Sequence, residues 1–295
     1  MNVTQLERMR NGQGFIAALD QSGGSTPGAL RRYGIEADRY ASDDEMFDLV
    51  HTMRERIVTS ASFTGEKILG SILFEKTMDR TFAGQPAADY LWEIKNVLPI
   101  LKVDKGLRDE ADGVRLMKPI ADLDDLLARA KGAHIFGTKM RSVILEAAPA
   151  GIAANMAQQF DIGQQIAAAG LVPILEPEID IRSATKKESE LILLDELLHH
   201  LDRDAFELPI MFKLTPPSVD DFYRPVIEHP KVLRVVALSG GYSRAEANEI
   251  LARNHGLIAS FSRALTEGLT ESMTAEEFDA LLAESIDSIY RASIT

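Results

Sequence analysis

Lys102, Lys139, Glu176 and Lys213 each close an apolar run, and each follows the one before by 37 residues. The runs are Leu98-Pro-Ile-Leu-Lys102, Ala133-His-Ile-Phe-Gly-Thr-Lys139, Leu171-Val-Pro-Ile-Leu-Glu176 and Leu208-Pro-Ile-Met-Phe-Lys213. Near-continuous apolar stretches of this length read as parallel strands covered on both faces. A charge at the last position of such a strand is costly to desolvate unless it has partners or a task. One strand, one helix and their loops take roughly 30 to 40 residues, so the interval reads as one βα unit. Four successive units then deliver three amines and a carboxylate to one end of a sheet. In a (β/α)8 TIM barrel that end carries the active site.

Eight strands are expected, at residues 14–19, 68–74, 97–103, 133–138, 171–176, 208–213, 232–238 and 257–260. Helical patterns fall between them at 43–58, 122–131, 153–169, 187–201, 243–254 and 274–291. Three of these start at capping boxes, Ser42-x-x-Glu45, Ser243-x-x-Glu246 and Thr274-x-x-Glu277. Strand alternating with helix favours a parallel sheet. No linker rich in Pro, Gly or Ser divides the chain, so residues 1–295 read as a single α/β domain, a (β/α)8 barrel. The C-terminal helix at 274–291 is expected to pack at or near that barrel. An open doubly wound sheet is the competing architecture, but no Gly-x-Gly-x-x-Gly opens the first helix. Gly12-x-Gly14 precedes a strand instead of following one.

A net charge of −13 argues against nucleic acid as a partner and against an anionic membrane surface. A small anionic substrate remains compatible, because a local cluster of Lys and Arg overrides the global field. The chain has no cysteine, which excludes disulfides, thiolate catalysis and Cys-based metal sites. His51, His134, His199, His200, His229 and His255 show no metal spacing beyond one adjacent pair. That speaks against a zinc-dependent aldol mechanism, while carboxylates alone could still hold magnesium. No metal and no cofactor are expected. The first residues lack the apolar core of a secretory signal. No apolar run approaches the roughly 18 residues of a spanning helix, and a cytoplasmic location is the expectation.

Several residues at strand ends could carry chemistry. Asp20 ends the first strand and can act as a base or bind a hydroxyl. Ser22 and Ser25, in the Gly-bearing turn that follows, could present hydroxyls and amides to a phosphate. Lys102-Val-Asp-Lys-Gly106 ends the third strand. Lys139 and Arg141 alternate onto one side and suit an anion. Glu176 and Glu178 likewise share a face, where nearby lysines favour the carboxylate and burial opposes it. Lys213 stands out, since lysine is almost never fully buried without a partner. Desolvation and neighbouring cations free a lysine's lone pair for attack on a carbonyl. Ser239-Gly240-Gly241 and Ser260-Phe-Ser-Arg263 follow the last two strands, where barrels commonly bind phosphate.

Taken in chain order, these motifs resemble class I fructose-bisphosphate aldolases, in particular the shorter bacterial form. The likeness spans residues 14 to 268 and is most specific in Val172-Pro-Ile-Leu-Glu-Pro-Glu178 and Leu238-Ser-Gly-Gly-Tyr-Ser243. It implies that Lys213 forms a Schiff base with the C2 ketone of the sugar phosphate. Glu176 would be the proton donor and acceptor, with Glu178 beside it, Asp20 would handle the C4 hydroxyl, and Lys139 would stabilise charge. Ser239, Gly240, Gly241 and Arg263 would hold the C1 phosphate, while Ser22, Ser25 and Lys102 would lie toward the C6 phosphate. Arg141 and Ser260 complete the expected substrate contacts. Relatives include tetramers, which leaves a homo-oligomer open. The longer animal and plant enzymes use a tyrosine on a mobile C-terminal tail. Here the end reads as the close of a helix, and Tyr290 is left out of the catalytic set. Leu214-Thr-Pro-Pro217 after Lys213 also departs from those longer enzymes. Two further readings stay open: a transaldolase-like enzyme, and a non-catalytic binding protein on the same barrel.

Overall fold

The computed structural model describes residues 2–295. Eight parallel strands run through it: β1 (Phe15–Leu19), β2 (Ile68–Leu73), β3 (Leu98–Lys102), β4 (Gly137–Ile144), β5 (Val172–Ile179), β6 (Ile210–Leu214), β7 (Val232–Ala237) and β8 (Ile258–Phe261). Each pairs with its sequence neighbour, and β8 returns to β1 with Ser260 opposite Ile16, which closes the (β/α)8 barrel. A two-residue strand, Val114–Arg115, adds antiparallel to the end of β4. Around the barrel lie α1 (Val3–Asn11), α2 (Thr26–Arg32), α3 (Asp43–Thr59), α4 (Leu123–Gly132), α5 (Pro149–Ala168), α6 (Lys186–Arg203), α7 (Arg244–Ala252) and α8 (Ala275–Ser293). Helix α8 packs against β8 and β1.

Successive side chains of a strand point to opposite faces, and this pleat sorts the residues. Phe15, Ala17 and Leu19 of β1 join the layer between strands and helices, while Ile16 and Ala18 face the barrel interior. On β5, Leu175 and Ile179 face the helices, while Val172 and Ile174 face inward. Glu176 and Glu178 continue that inward face toward the strand's C-terminal end. Strands β3 to β6 therefore lay apolar side chains on the floor and charged ones at the mouth.

Helix α1 plugs the floor. Met9 is fully buried among Ile16, Leu69, Leu98 and Ile258. Arg8 donates to the carbonyls of Gly65 and Ile68, and Arg234 donates to those of Met9, Arg10 and Gly12. Two of the three capping boxes form in full, at Ser243–Glu246 and Thr274–Glu277. The third forms by half: Ser42 accepts from the Glu45 amide, but the Glu45 carboxylate accepts from Ala41 instead.

The fourth strand differs most from expectation. Residues 133–135 close α4: His134 takes φ 59°, which lets the Ile135 amide reach the Ala130 carbonyl, while the Phe136 amide already bonds to the Pro99 carbonyl of β3. The strand starts at Gly137 and runs to Ile144. Lys139 is thus its third residue and Glu176 the fifth of eight in β5, while Lys213 is next to last in β6. Of the four spaced charges, Lys102 alone ends its strand. The equal spacing marks one height on the inward face of the barrel, with strand ends that vary around it.

Candidate active site

The charged tier encloses a cavity of about 660 Å³ at the C-terminal mouth of the barrel. At its base is a chain of four buried groups from β1, β4, β5 and β6. Lys139 Nζ lies 2.6 Å from Asp20 Oδ2 and 2.8 Å from Glu176 Oε2, and Lys213 Nζ lies 3.0 Å from Glu176 Oε1. Lys139, Glu176 and Lys213 are each at most 5% exposed. Burial pushes the Asp20 carboxyl up, but the ammonium groups of Lys139, Lys213 and Lys102 outweigh it and hold Asp20 below the usual carboxylate range. Burial pulls the Lys139 ammonium down, but Asp20, Glu176 and Asp104 outweigh it and hold Lys139 above the usual range.

These partnerships divide the two amines by task. Lys139 is locked as a cation between two carboxylates. Among the described residues Lys213 has one acceptor, Glu176 Oε1, so a single proton transfer along that contact leaves a free amine facing the cavity. The other Glu176 oxygen stays on Lys139, which steadies the carboxylate whether or not it holds that proton.

The β3–β4 side of the mouth is internally neutralised. Lys102 Nζ lies 2.8 Å from Asp104 Oδ1 and donates to the Asp104 carbonyl at 2.7 Å. Asp104 also accepts from the amides of Gly106 and Arg141, each at 3.2 Å. Arg141 pairs with Glu178, whose attraction outweighs the effect of burial and raises the Arg141 guanidinium above its ordinary value.

The β8–β1 side carries hydroxyls and backbone amides. Ser22 and Ser25 are joined reciprocally, the Ser22 amide donating to Ser25 Oγ and that hydroxyl to the Ser22 carbonyl, both at 3.0 Å. Gln21 Nε2 donates to Ser262 Oγ at 2.6 Å and so ties the two loops together. Ser260 has a buried hydroxyl with no partner among the described residues. Gly240 has φ 59°, and a Cβ there would meet Ile181 Cγ2 at 2.7 Å, so the close turn after Ser239 requires glycine.

All the expected site residues line the cavity except Gly241. Gly241 lies beside Arg263 instead: a Cβ on it would be 3.5 Å from a guanidinium nitrogen. Tyr290 does not line the cavity and packs half-buried against the core from α8. The segment after Lys213 is pinned at several points. Thr215 Oγ1 donates to the Ile179 carbonyl at 2.7 Å and accepts from the Ile179 amide at 2.9 Å. Lys186 Nζ donates to the Pro216 carbonyl at 2.8 Å, and Glu190 accepts from the Ser218 amide. No group of three or more His, Cys, Asp or Glu suited to a metal ion occurs among the described residues.

A family model described as fructose-bisphosphate aldolase class-I matches residues 4–191. A curated relative from Synechocystis sp., named fructose-bisphosphate aldolase class 1, is 60% identical over 294 residues, covering 100% of this chain and 98% of its own. A second of the same name, from Porphyromonas gingivalis, is 57% identical over 294 residues and matches 100% of both chains. This chain belongs to the class I fructose-bisphosphate aldolase family. Solved aldolases agree on the fold. The enzyme from Plasmodium falciparum, in complex with TRAP and a small-molecule inhibitor, gives a TM-score of 0.75 at 21% identity, over 99% of this chain and 94% of that one. An archaeal fructose-1,6-bisphosphate aldolase, with its catalytic lysine covalently bound to a carbinolamine intermediate, gives 0.50 at 12% identity, over 97% of this chain and 99% of that one.

Sequence reasoning passed over several residues of this aldolase site. Asp104 was visible between Lys102 and Lys105, but its bonds to Gly106 and Arg141 depend on how the loop folds back. Arg54, on α3, is 1% exposed and donates to the Gln21 carbonyl and, at 2.8 Å, to Thr77 Oγ1. Burial pushes its guanidinium down to about 10. An arginine inside an otherwise ordinary amphipathic helix gives no local signal of that position. Arg32, in the last turn of α2, and Arg115 also line the cavity.

Proposed function

We propose that Lys213 is the amine through which this aldolase works and that Glu176 moves its protons. The chain catalyses the reversible aldol cleavage of fructose 1,6-bisphosphate to dihydroxyacetone phosphate and glyceraldehyde 3-phosphate, a lyase reaction of glycolysis and gluconeogenesis. The observation that carries the residue assignment is the contact chain Lys213–Glu176–Lys139–Asp20 at the base of the cavity.

Glu176 takes a proton from Lys213, and the freed amine adds to the C2 carbonyl to give a carbinolamine. Glu176 returns a proton to the C2 hydroxyl, which leaves as water, and a protonated imine remains. Asp20, a carboxylate at neutral pH, accepts the proton of the C4 hydroxyl. The C3–C4 bond then breaks, and its electron pair moves into the iminium to form an enamine. Glyceraldehyde 3-phosphate departs. The enamine is then protonated at C3, and the proton Asp20 took from the C4 hydroxyl balances that step and restores the Asp20 carboxylate. Water then hydrolyses the imine and releases dihydroxyacetone phosphate. Lys139 stays charged throughout and offsets the negative charge that develops around Glu176 and Asp20.

The C1 phosphate is held by Ser239, Gly240, Ser260 and Arg263, with Gly241 supporting the arginine. The C6 phosphate is held by Ser22, Ser25, Lys102 and Arg141. The substrates are charged sugar phosphates that do not cross membranes unaided, which supports a cytoplasmic location for the enzyme. No helix among the described residues is long and apolar enough to cross a membrane.

Borohydride reduction in the presence of dihydroxyacetone phosphate tests the assignment. An adduct on Lys213 by peptide mass spectrometry, absent from Lys213→Met, is the expected result. An adduct on another lysine, or none, would remove Lys213 from its role.

A further inference from the structure

Helix α3 turns one face to the layer between strands and helices, where Val50, Met53, Ile57 and Val58 are buried. Arg54 falls inside that stripe, four residues after Val50 and four before Val58, and is 1% exposed. No carboxylate pairs with it directly among the described residues. Its guanidinium donates to the Gln21 carbonyl and, at 2.8 Å, to Thr77 Oγ1, while its Nε is buried with no partner. A buried charge is costly, and a methionine or leucine would fill this place in the stripe at no such cost. Stability alone does not account for an arginine here.

The Gln21 carbonyl belongs to the residue that follows Asp20. Strand β1 ends at Leu19, so Asp20 and Gln21 stand in the turn beyond it. On the cavity side this turn is held through side chains, Asp20 Oδ2 at 2.6 Å from Lys139 Nζ and Gln21 Nε2 at 2.6 Å from Ser262 Oγ. On the helix side it is held by Arg54, whose other arm rests on Thr77 in the short helix after β2, itself 1% exposed. Asp20 is also the carboxylate whose attraction opposes the effect of burial on Arg54. A general base works only within hydrogen-bond reach of the proton it takes. A misplacement of about 1 Å at a reacting group costs on the order of a hundredfold in rate.

We propose that Arg54 is a positioning residue for carbon–carbon cleavage: anchored on Thr77, it holds the Gln21 carbonyl so that the Asp20 carboxylate meets the C4 hydroxyl. Arg54 does not line the cavity and acts only through the turn that carries Asp20. The consequence is selective. Carbinolamine and imine formation run on Lys213 and Glu176 and do not depend on Arg54, whereas breaking the C3–C4 bond does. The proposal rests on the aldolase assignment above, and its test separates the two.

Arg54→Met, Arg54→Lys and Asp20→Asn are compared with the native chain in two assays. One is cleavage of fructose 1,6-bisphosphate; the other is borohydride trapping with dihydroxyacetone phosphate, which has no C4 hydroxyl. Arg54→Met should lower kcat for cleavage by about ten- to a hundredfold, with KM little changed and the Lys213 adduct retained. Arg54→Lys keeps the charge and one donor arm, and should recover part of the loss. Added to Asp20→Asn, Arg54→Met should take little more from the residual rate, because both changes act on one step. An unchanged kcat, an adduct lost in step with cleavage, or a full further loss on the Asp20→Asn background would overturn the positioning role. Should Arg54→Met fail to fold, Arg54→Lys decides alone: a lower kcat with the adduct kept supports the proposal, and a native rate or a lost adduct refutes it. No adduct on Lys213 in the native chain would bring down the aldolase assignment and this proposal with it. A native adduct beside unchanged Arg54 variants would remove the positioning role alone.

Discussion

The floor and the mouth of the barrel are built from the same strands and the same inward face, yet they are held together by opposite physics. On β3 the inward residues are Leu98 and Ile100 below and Lys102 above; on β6 they are Met211 and then Lys213. The floor gains its stability from apolar burial, which needs only shape and volume. The mouth buries lysines and carboxylates, which is costly unless each charge meets its partner. A change in the floor should therefore alter how much enzyme is folded. A change in the mouth should alter what the folded enzyme can do, or leave a charge stranded.

Lys213→Met is the sharpest way to separate the two. Loss of the amine removes the covalent route and should abolish turnover, while Glu176 keeps its contact with Lys139. Urea unfolding should show a much smaller loss of stability than the change in activity would suggest. A collapse in stability matching the collapse in activity would merge the two tiers into one.

Lys139→Met attacks the mouth from the other side. It leaves Glu176 in contact with Lys213 and takes from Asp20 its direct partner, with Lys213 and Lys102 acting from farther away. Removing one partner from a buried pair costs about 3–5 kcal/mol. The loss should shrink as pH falls, because a buried carboxylate without its cation takes up a proton. A loss that is equal at pH 7 and pH 4.5 would show that packing, not charge, was what Lys139 supplied.

Leu98→Ala is the converse, two tiers below the charges and fully buried. Truncating a buried leucine costs about 2–5 kcal/mol through lost transfer energy and the cavity left behind. Activity per folded molecule should be retained. Altered KM or kcat in the folded fraction would show that the floor sets the geometry of the mouth.

The same division explains what could be read from the sequence. The height of the charged tier was legible because 37-residue units repeat, and the faces were legible because the pleat has a period of two. Strand ends were harder. Ala133 to Ile135 leads straight into the apolar run of a strand, yet it closes α4, because a left-handed His134 lets the backbone bonds of the helix end be made there. Helix α1 gave no signal, since its sequence Val-Thr-Gln-Leu-Glu-Arg-Met-Arg-Asn is mostly polar and its task rests on Met9 reaching the floor with Leu6 packed beside it. Arg32 was equally silent. It sits at the end of a short helix, where no hydrophobic period marks which side chain will turn to the cavity.

The smallest effect tests the electrostatics of the mouth through pH. Asp20 is held below the usual carboxylate range in the folded chain, whereas in the unfolded chain it takes up a proton near pH 3.9. The unfolded state therefore binds more protons as pH drops through that value. The stability Asp20 contributes is complete above about pH 5 and is lost progressively below it. Lys139 is raised, so its contribution is complete below its unfolded value of about 10.4 and is lost only as pH climbs beyond that. Neither group titrates near neutrality, so the pair gives no slope there. Asp20→Asn should thus differ from the native chain by a constant amount between pH 6 and 8, measured by urea unfolding. The gap should narrow on acidification to pH 3, where the native aspartate has begun to lose its advantage. A gap that stays constant to pH 3 would mean that the lysines around Asp20 do not set its charge.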